Sequence, residues 1–161
     1  MTRVGLGFDA HAFDASRRLV LGGVLIPDSP GLEGHSDADV LCHSIADALL
    51  GAAGLGDLGS SFPDDDTWRD ASSLLILEET ARMVAAAGWT ISNVDATVVG
   101  EAPRLAPYRD QMTGAISEAL GVIAGIVSVK ATTTDRMGFT GRSEGIAAMA
   151  VAALERSREG N

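Results

Sequence analysis

Short apolar runs of strand length alternate along this chain with segments of helical periodicity, and none of the apolar runs is long enough to cross a bilayer. That alternation confines the fold to helices packed on a small sheet. Residues 3–8 read as the first strand. Residues 19–21 and 24–26 flank Gly22 and Gly23, a two-residue hairpin signal, and residues 27–34 follow as a loop. The periodicity then predicts a helix over 37–53, with Ser36 as N-cap, Asp39 three residues on in a capping-box arrangement, and Gly54 at its end. A second helix is expected over 72–87, stopped by Gly88. A strand follows over 91–100, where Val94, Ala96 and Val98 alternate with Asn93, Asp95 and Thr97. Pro107 opens a third helix that runs to about Leu120, 126–132 is the last expected strand, and an alanine-rich helix is expected over 145–156. The expected class is α/β in a two-layer α+β form, a small mixed sheet with helices on one face, in a single domain over 1–161.

Composition narrows the partners. The 161 residues are 46% hydrophobic but only 4% aromatic, so the core is built from Ala, Leu, Val and Ile. Net charge is −10 with one lysine, Lys130, which argues against nucleic acid or an anionic membrane surface as a partner. An acidic chain that binds phosphate needs metal ions and backbone N–H groups at the contact. Cys42 stands alone, so an internal disulfide is excluded. No signal-peptide pattern is recognisable, and the expected location is the cytoplasm.

All three histidines, His11, His35 and His43, fall within the first 43 residues, interleaved with Asp9, Asp37 and Asp39. Asp9 and His11 are two apart at the end of the first strand, so they share a face. His43, on the first helix, is the natural third ligand. Asp, His and His suit Zn²⁺ with a fourth position left open, the pattern of catalytic rather than structural zinc.

Other signals carry less. Gly5, Gly7 and Ala10 match the G-x-G-x-x-A dinucleotide pattern, but no full strand precedes it and no helix starts within it, so close backbone packing is the better reading. His35 and Ser36 sit just before the first helix, where an anion is favoured. Cys42 points about 100° away from His43 on the helix and reads as core filler. Asp57, and Asp64 to Asp66 after Pro63, lie in a glycine-rich polar segment and are ordinary solvated turn residues on their own. Thr132, Thr133 and Thr134 beyond a strand end offer donors to phosphate, and Asp135 offers an oxygen ligand for Mg²⁺.

Taken together, G-F-D-A-H-A-F from Gly7, L-G-G-V-L-I-P from Leu21, G-H-S-D-A-D-V-L-C-H-S-I-A-D-A-L-L-G-A-A-G-L-G-D-L-G from Gly34, F-P-D from Phe62 and K-A-T-T-T-D-R-M-G-F-T-G-R from Lys130 resemble the 2-C-methyl-D-erythritol 2,4-cyclodiphosphate synthase family. The likeness runs in order over nearly the whole chain. It implies a homotrimer of α/β subunits with active sites between neighbours. The implied reaction turns 4-diphosphocytidyl-2-C-methyl-D-erythritol 2-phosphate into the cyclic diphosphate and CMP, in the non-mevalonate route to isoprenoids.

By the same resemblance, Asp9, His11 and His43 are zinc ligands, and Asp9 and His11 also contact substrate. His35 and Thr133 are implied as transition-state stabilisers, with Ser36 beside His35 on the substrate. Asp57, Leu58 and Gly59, with Phe62, Asp64 and Asp66, match the segment around the methylerythritol. Gly100, Ala102, Pro103, Arg104, Leu105 and Ala106 match a cytosine pocket. Thr132, Thr133, Thr134, Asp135, Phe139 and Arg142 match phosphate and nucleotide contacts. Asp135, where the family usually has Glu, would hold Mg²⁺ or Mn²⁺ on the diphosphate, and Arg104 stands where Lys is common. Two other readings share the metal triad. A zinc phosphoesterase would need a base to activate water, and none stands near these motifs. A non-catalytic trimeric protein binding zinc or an isoprenoid diphosphate would leave the threonine run and the cytosine segment without a role.

Overall fold

The computed structural model describes residues 1–63 and 65–157. Five strands form one sheet in the order β2-β1-β5-β3-β4. They are β1 (Thr2–Leu21), β2 (Val24–Leu32), β3 (Trp89–Val99), β4 (Val127–Thr132) and β5 (Gly145–Arg156). β3 and β4 run parallel, and the other neighbouring strands run antiparallel. The sheet is therefore mixed, as expected, and the Gly22–Gly23 turn closes the β1–β2 hairpin with both glycines in the left-handed region.

Helices α1 (Val40–Ala53), α3 (Ser73–Ala86) and α4 (Arg109–Leu120) cover one face, with single turns α2 (Leu58–Ser61) and α5 (Gly138–Gly141) in the connections. Leu19, Leu21, Leu41, Ile45, Leu49 and Ile146 are fully buried between the layers. Each such side chain contributes about 1.5–3 kcal/mol of transfer free energy. The core uses small residues to bring the layers close: Ala46, Ala48 and Ala52 of α1, and Ala148, Ala150 and Ala152 of β5, are all buried. At Gly5 a Cβ would lie 2.0 Å from the carbonyl oxygen of Ala48, so β1 and α1 meet backbone to backbone and the G-x-G is a packing device. Among the described residues no helix is long and apolar enough to cross a membrane.

Four expectations need correction. The first strand does not stop at 8 but runs on to Leu21, joining residues 3–8 to 19–21, and residues 27–34 are not a loop throughout, because β2 continues to Leu32 and pairs there with β1. Residues 145–156 form not a helix but β5, which pairs with β1 on one side and β3 on the other. Alanine favours a helix intrinsically, but ladders on both sides and the burial of Ile146, Ala148, Ala150, Ala152 and Leu154 on one face outweigh a preference of a few tenths of a kcal/mol per residue. The first helix begins at Val40, not 37, and its N-cap is Asp39 rather than Ser36. The Asp39 carboxylate accepts from the Cys42 N–H and also from the N–H groups of Gly22 and Gly23, which ties the helix start to the hairpin.

On β1 the residues out of phase with Gly5 and Gly7 are apolar and open. Val4, Leu6 and Phe8 are exposed, as are Met149 and Val151, which register opposite Phe8 and Leu6 on β5. No helix covers this outer face among the described residues; on β3 it turns polar, with Asn93, Asp95 and Thr97.

Candidate functional site

Strand alternation sends Gly5, Gly7, Asp9 and His11 of β1 toward α1, and His43 meets them from the first turns of that helix. Asp9 Oδ2 lies 2.9 Å from His11 Nε2 and 3.0 Å from His43 Nδ1. One ligand atom from each residue lies within 4.8 Å of the other two. The imidazoles stand edge to face with centroids 5.5 Å apart. Each has its outer nitrogen engaged by protein: His11 Nδ1 donates to the Glu33 carbonyl at 2.5 Å, and His43 Nε2 lies 3.0 Å from Ser73 Oγ and 3.1 Å from Ser36 Oγ. Inward lone pairs with outward hydrogen bonds are what metal-binding histidines need. One carboxylate and two imidazoles with room for a further ligand fit Zn²⁺. Burial works against the charge on Asp9, but hydrogen bonds and the charges of both imidazoles hold its carboxyl well below the usual range. Burial likewise opposes the charge on His11, yet Asp9 raises its pKa above the ordinary value.

The triad opens into a cavity of about 240 Å³ that His35, Ser36, Leu58, Gly59 and Phe62 also line, with Trp68 and Ile76 behind. The His35 ring donates from Nε2 to the Asp65 carbonyl at 2.6 Å. Asp57 caps α2, accepting from Ser60 N–H at 2.8 Å, and the hydroxyl and amide of Ser60 lower its pKa. The Leu58 N–H is anchored by Asp47 at 3.0 Å. Phe62 packs edge to face on Trp68 at 4.8 Å, while Asp66 is exposed and pairs with Arg69. Asp64 lies outside the described residues.

None of the remaining sequence-derived residues lines this cavity. Glu101 Oε1 accepts from the N–H groups of Thr134 and Arg136, both at 3.2 Å, so the 100–106 segment is tied to the turn after β4. Gly100 N–H donates to the Thr132 carbonyl at 3.0 Å. Leu105 and Ala106 line a smaller cavity of about 80 Å³ with Lys130 and Ala131, Arg104 is exposed, and the Ala102–Pro103 peptide is cis. Thr133 is exposed with its hydroxyl 3.4 Å from Asp135 Oδ1, and Asp135 and Arg136 both adopt left-handed conformations. Asp135 is not part of the metal-ligating cluster. Phe139 lines a third cavity, of about 250 Å³, with His11 and Glu144, and Arg142 is paired with Glu144 at 2.9 Å. Within one chain, then, the triad half and the 100–106 half do not meet.

Several contributors carry no local signal. Arg17 donates to the carbonyls of Gly34 and Ser36 and so holds the loop that bears His35. Ser73 reaches His43 from 30 residues further along the chain, and Asp37, six residues before His43, holds the Ser73 hydroxyl. Trp68 lines the cavity as one of two tryptophans.

The chain matches the model of the YgbB family over residues 2–155. It is 55% identical over 156 residues to a 2-C-methyl-D-erythritol 2,4-cyclodiphosphate synthase of Syntrophomonas wolfei, covering 96% of this chain and 99% of that one. Among solved structures, the bifunctional IspDF of Campylobacter jejuni aligns with a TM-score of 0.93 at 40% identity, over 97% of this chain and 42% of that longer one. The IspF of Plasmodium falciparum, solved as a CDP complex, aligns with a TM-score of 0.84 at 31% identity, over 98% of this chain and 97% of that one.

Proposed function

The chain belongs to the YgbB family of cyclodiphosphate synthases, phosphorus–oxygen lyases of isoprenoid synthesis, and from that premise we propose how its residues carry out the ring closure. The substrate is 4-diphosphocytidyl-2-C-methyl-D-erythritol 2-phosphate. An oxygen of the 2-phosphate forms a bond to the β-phosphorus as the bond from that phosphorus to the bridging oxygen breaks, and CMP leaves with the electron pair. Nucleophile and electrophile belong to one molecule, so positioning supplies much of the rate, and no protein nucleophile is required.

The observation that carries this reading is the convergence of Asp9, His11 and His43 in the cavity that holds His35. Bound at the triad and at Asp135, Zn²⁺ and Mg²⁺ or Mn²⁺ would neutralise and polarise the diphosphate, which an acidic chain with one lysine cannot do with side chains alone. The His35 ring and the Thr133 hydroxyl are assigned to the charge that builds on the transferring phosphoryl oxygens, and Ser36 steadies the same group. Asp57, Leu58, Gly59, Phe62, Asp64 and Asp66 are assigned to the methylerythritol, and Leu58, Gly59 and Phe62 line the cavity. Gly100, Ala102, Pro103, Arg104, Leu105 and Ala106 are assigned to the cytosine, and a cytidine-linked substrate is supported by the CDP complex of the Plasmodium relative. Thr132, Thr134, Asp135, Phe139 and Arg142 complete the phosphate and nucleotide contacts.

Two features support a homotrimer with sites between subunits. The two halves of the site lie apart within one chain, and the open apolar face of β1 and β5 offers surface for neighbours to cover. Residues 1–161 act as one synthase domain on this reading, supported by the family match over residues 2–155, and the cytoplasm is its proposed location. The test is phosphorus NMR of the substrate incubated with the protein, with and without Zn²⁺ and Mg²⁺. Metal-dependent CMP and a cyclic diphosphate are expected. Intact substrate with folded, zinc-loaded protein would overturn the activity, and inorganic phosphate would point to a phosphoesterase instead.

A further inference from the structure

The two imidazoles of the triad are held by different kinds of partner. His11 Nδ1 donates to a backbone carbonyl, which can only accept. His43 Nε2 faces two hydroxyls, Ser73 Oγ at 3.0 Å and Ser36 Oγ at 3.1 Å, and a hydroxyl can donate or accept. Facing such a partner, an imidazole is free to carry its proton on either nitrogen. Only the tautomer protonated on Nε2 leaves a lone pair on Nδ1, the atom beside Asp9.

The ambiguity is removed one residue further out. Ser73 Oγ donates to Asp37 Oδ1, while Asp37 Oδ2 accepts from the Ser73 N–H at 2.9 Å. A carboxylate only accepts, so the Ser73 proton is committed to Asp37 and the hydroxyl must turn a lone pair toward His43. Ser73 is fully buried at the first turn of α3, so no water competes for this geometry. Ser36 is a second acceptor, but it has no carboxylate to commit its proton among the described residues.

We propose that Asp37 and Ser73 are positioning residues that bias His43 toward the tautomer protonated on Nε2, against the pull of the Asp9 carboxylate on a proton at Nδ1, so that the Nδ1 lone pair is presented to the metal. They touch neither metal nor substrate and act only through His43. The inference rests on metal occupancy of the Asp9, His11 and His43 site.

The test is a zinc titration of the full chain against a chromophoric chelator, for wild type, Asp37→Asn, Ser73→Ala and Ser73→Thr, with circular dichroism to score folding. In Asp37→Asn the new amide N–H can donate to Ser73, which reverses the hydroxyl and favours the wrong tautomer of His43. Zinc affinity is expected to fall about 10–100-fold in that variant, less in Ser73→Ala because Ser36 persists, and to recover in Ser73→Thr. Folded Asp37→Asn and Ser73→Ala proteins that bind zinc as tightly as wild type would overturn the proposal while leaving the metal site standing. A wild type that binds no zinc would overturn the site itself, and the proposal with it. Nitrogen NMR of ¹⁵N-histidine-labelled, zinc-loaded wild type tests the same point without a variant. With three histidines to assign, His43 is expected to show a proton on Nε2, and a proton on Nδ1 would overturn the proposal.

Discussion

Gly7 of β1 and Ser44 of α1 touch through their backbones: a Cβ on Gly7 would lie 2.0 Å from the Ser44 carbonyl oxygen and 2.7 Å from the Ala48 N–H nitrogen. Backbone cannot rotate away as a side chain can. Gly7→Ala is therefore expected to cost about 3 kcal/mol, read from urea denaturation. Because His43 is the residue before Ser44, the same displacement of α1 should weaken zinc binding. A variant as stable as wild type would show that the layers can part without penalty.

Asp39 joins the N-terminus of α1 to the hairpin by accepting from Cys42, Gly22 and Gly23 while fully buried. Asp39→Ala removes a helix cap and leaves buried donors unpaired. The expected loss is about 3 kcal/mol in chemical denaturation.

Asp9→Asn keeps the shape of the side chain and removes its charge from between two imidazoles. Elemental analysis is expected to find no stoichiometric zinc in the purified variant, and phosphorus NMR no cyclic product, while circular dichroism remains that of the wild type.

Acidity should act in opposite directions on the metal-free fold and on zinc binding. The raised pKa of His11 means that its pairing with Asp9 stabilises the metal-free protein fully below the ordinary value of 6.5 and is lost as pH rises through the raised value. The lowered pKa of Asp9 adds stability above its ordinary value of 3.8, lost as pH falls toward the depressed value. The pair therefore contributes most between those two ordinary values. Zinc requires a neutral imidazole, so its affinity should weaken about tenfold per pH unit below the His11 pKa. Melting curves of metal-free protein and chelator competition over the same pH series check both trends.

Leu6 is exposed on the outer sheet face opposite Val151. Leu6→Glu places a charge in the middle of the apolar surface without touching the helix side. Wild type is expected to sediment with the mass of three chains and the variant with the mass of one, with lost turnover and an unchanged circular dichroism spectrum. An unchanged mass would locate the subunit contacts elsewhere.

The metal triad was legible because its evidence is local. Asp9 and His11 are two apart on a strand, which settles their common face, and His43 is the histidine of the first helical segment that follows. The hairpin at Gly22–Gly23 and the left-handed cap at Gly54 were legible for the same reason, since backbone conformation near glycine depends on few neighbours. Residues 145–156 were misread because their alanines carry a helical preference of their own, while the ladders to β1 and β3 that overrule it come from segments about 140 and 55 residues away.

Ser73 and Arg17 had no signature at all, and Asp37 showed only as one of the aspartates among the histidines, because a hydroxyl, a guanidinium and a carboxylate acquire a role only when folding brings them to the surroundings of His43 and to the loop before it. From residue order alone followed which side chains share a face and what chemistry they can offer, since those depend on the fixed periods of strand and helix. Which faces meet, which strand lies at the centre of the sheet, and which polar groups stand behind the ligands followed only once the chain was folded. Those depend on the pairing of distant backbone and the burial of distant surface, whose energies exceed any local preference.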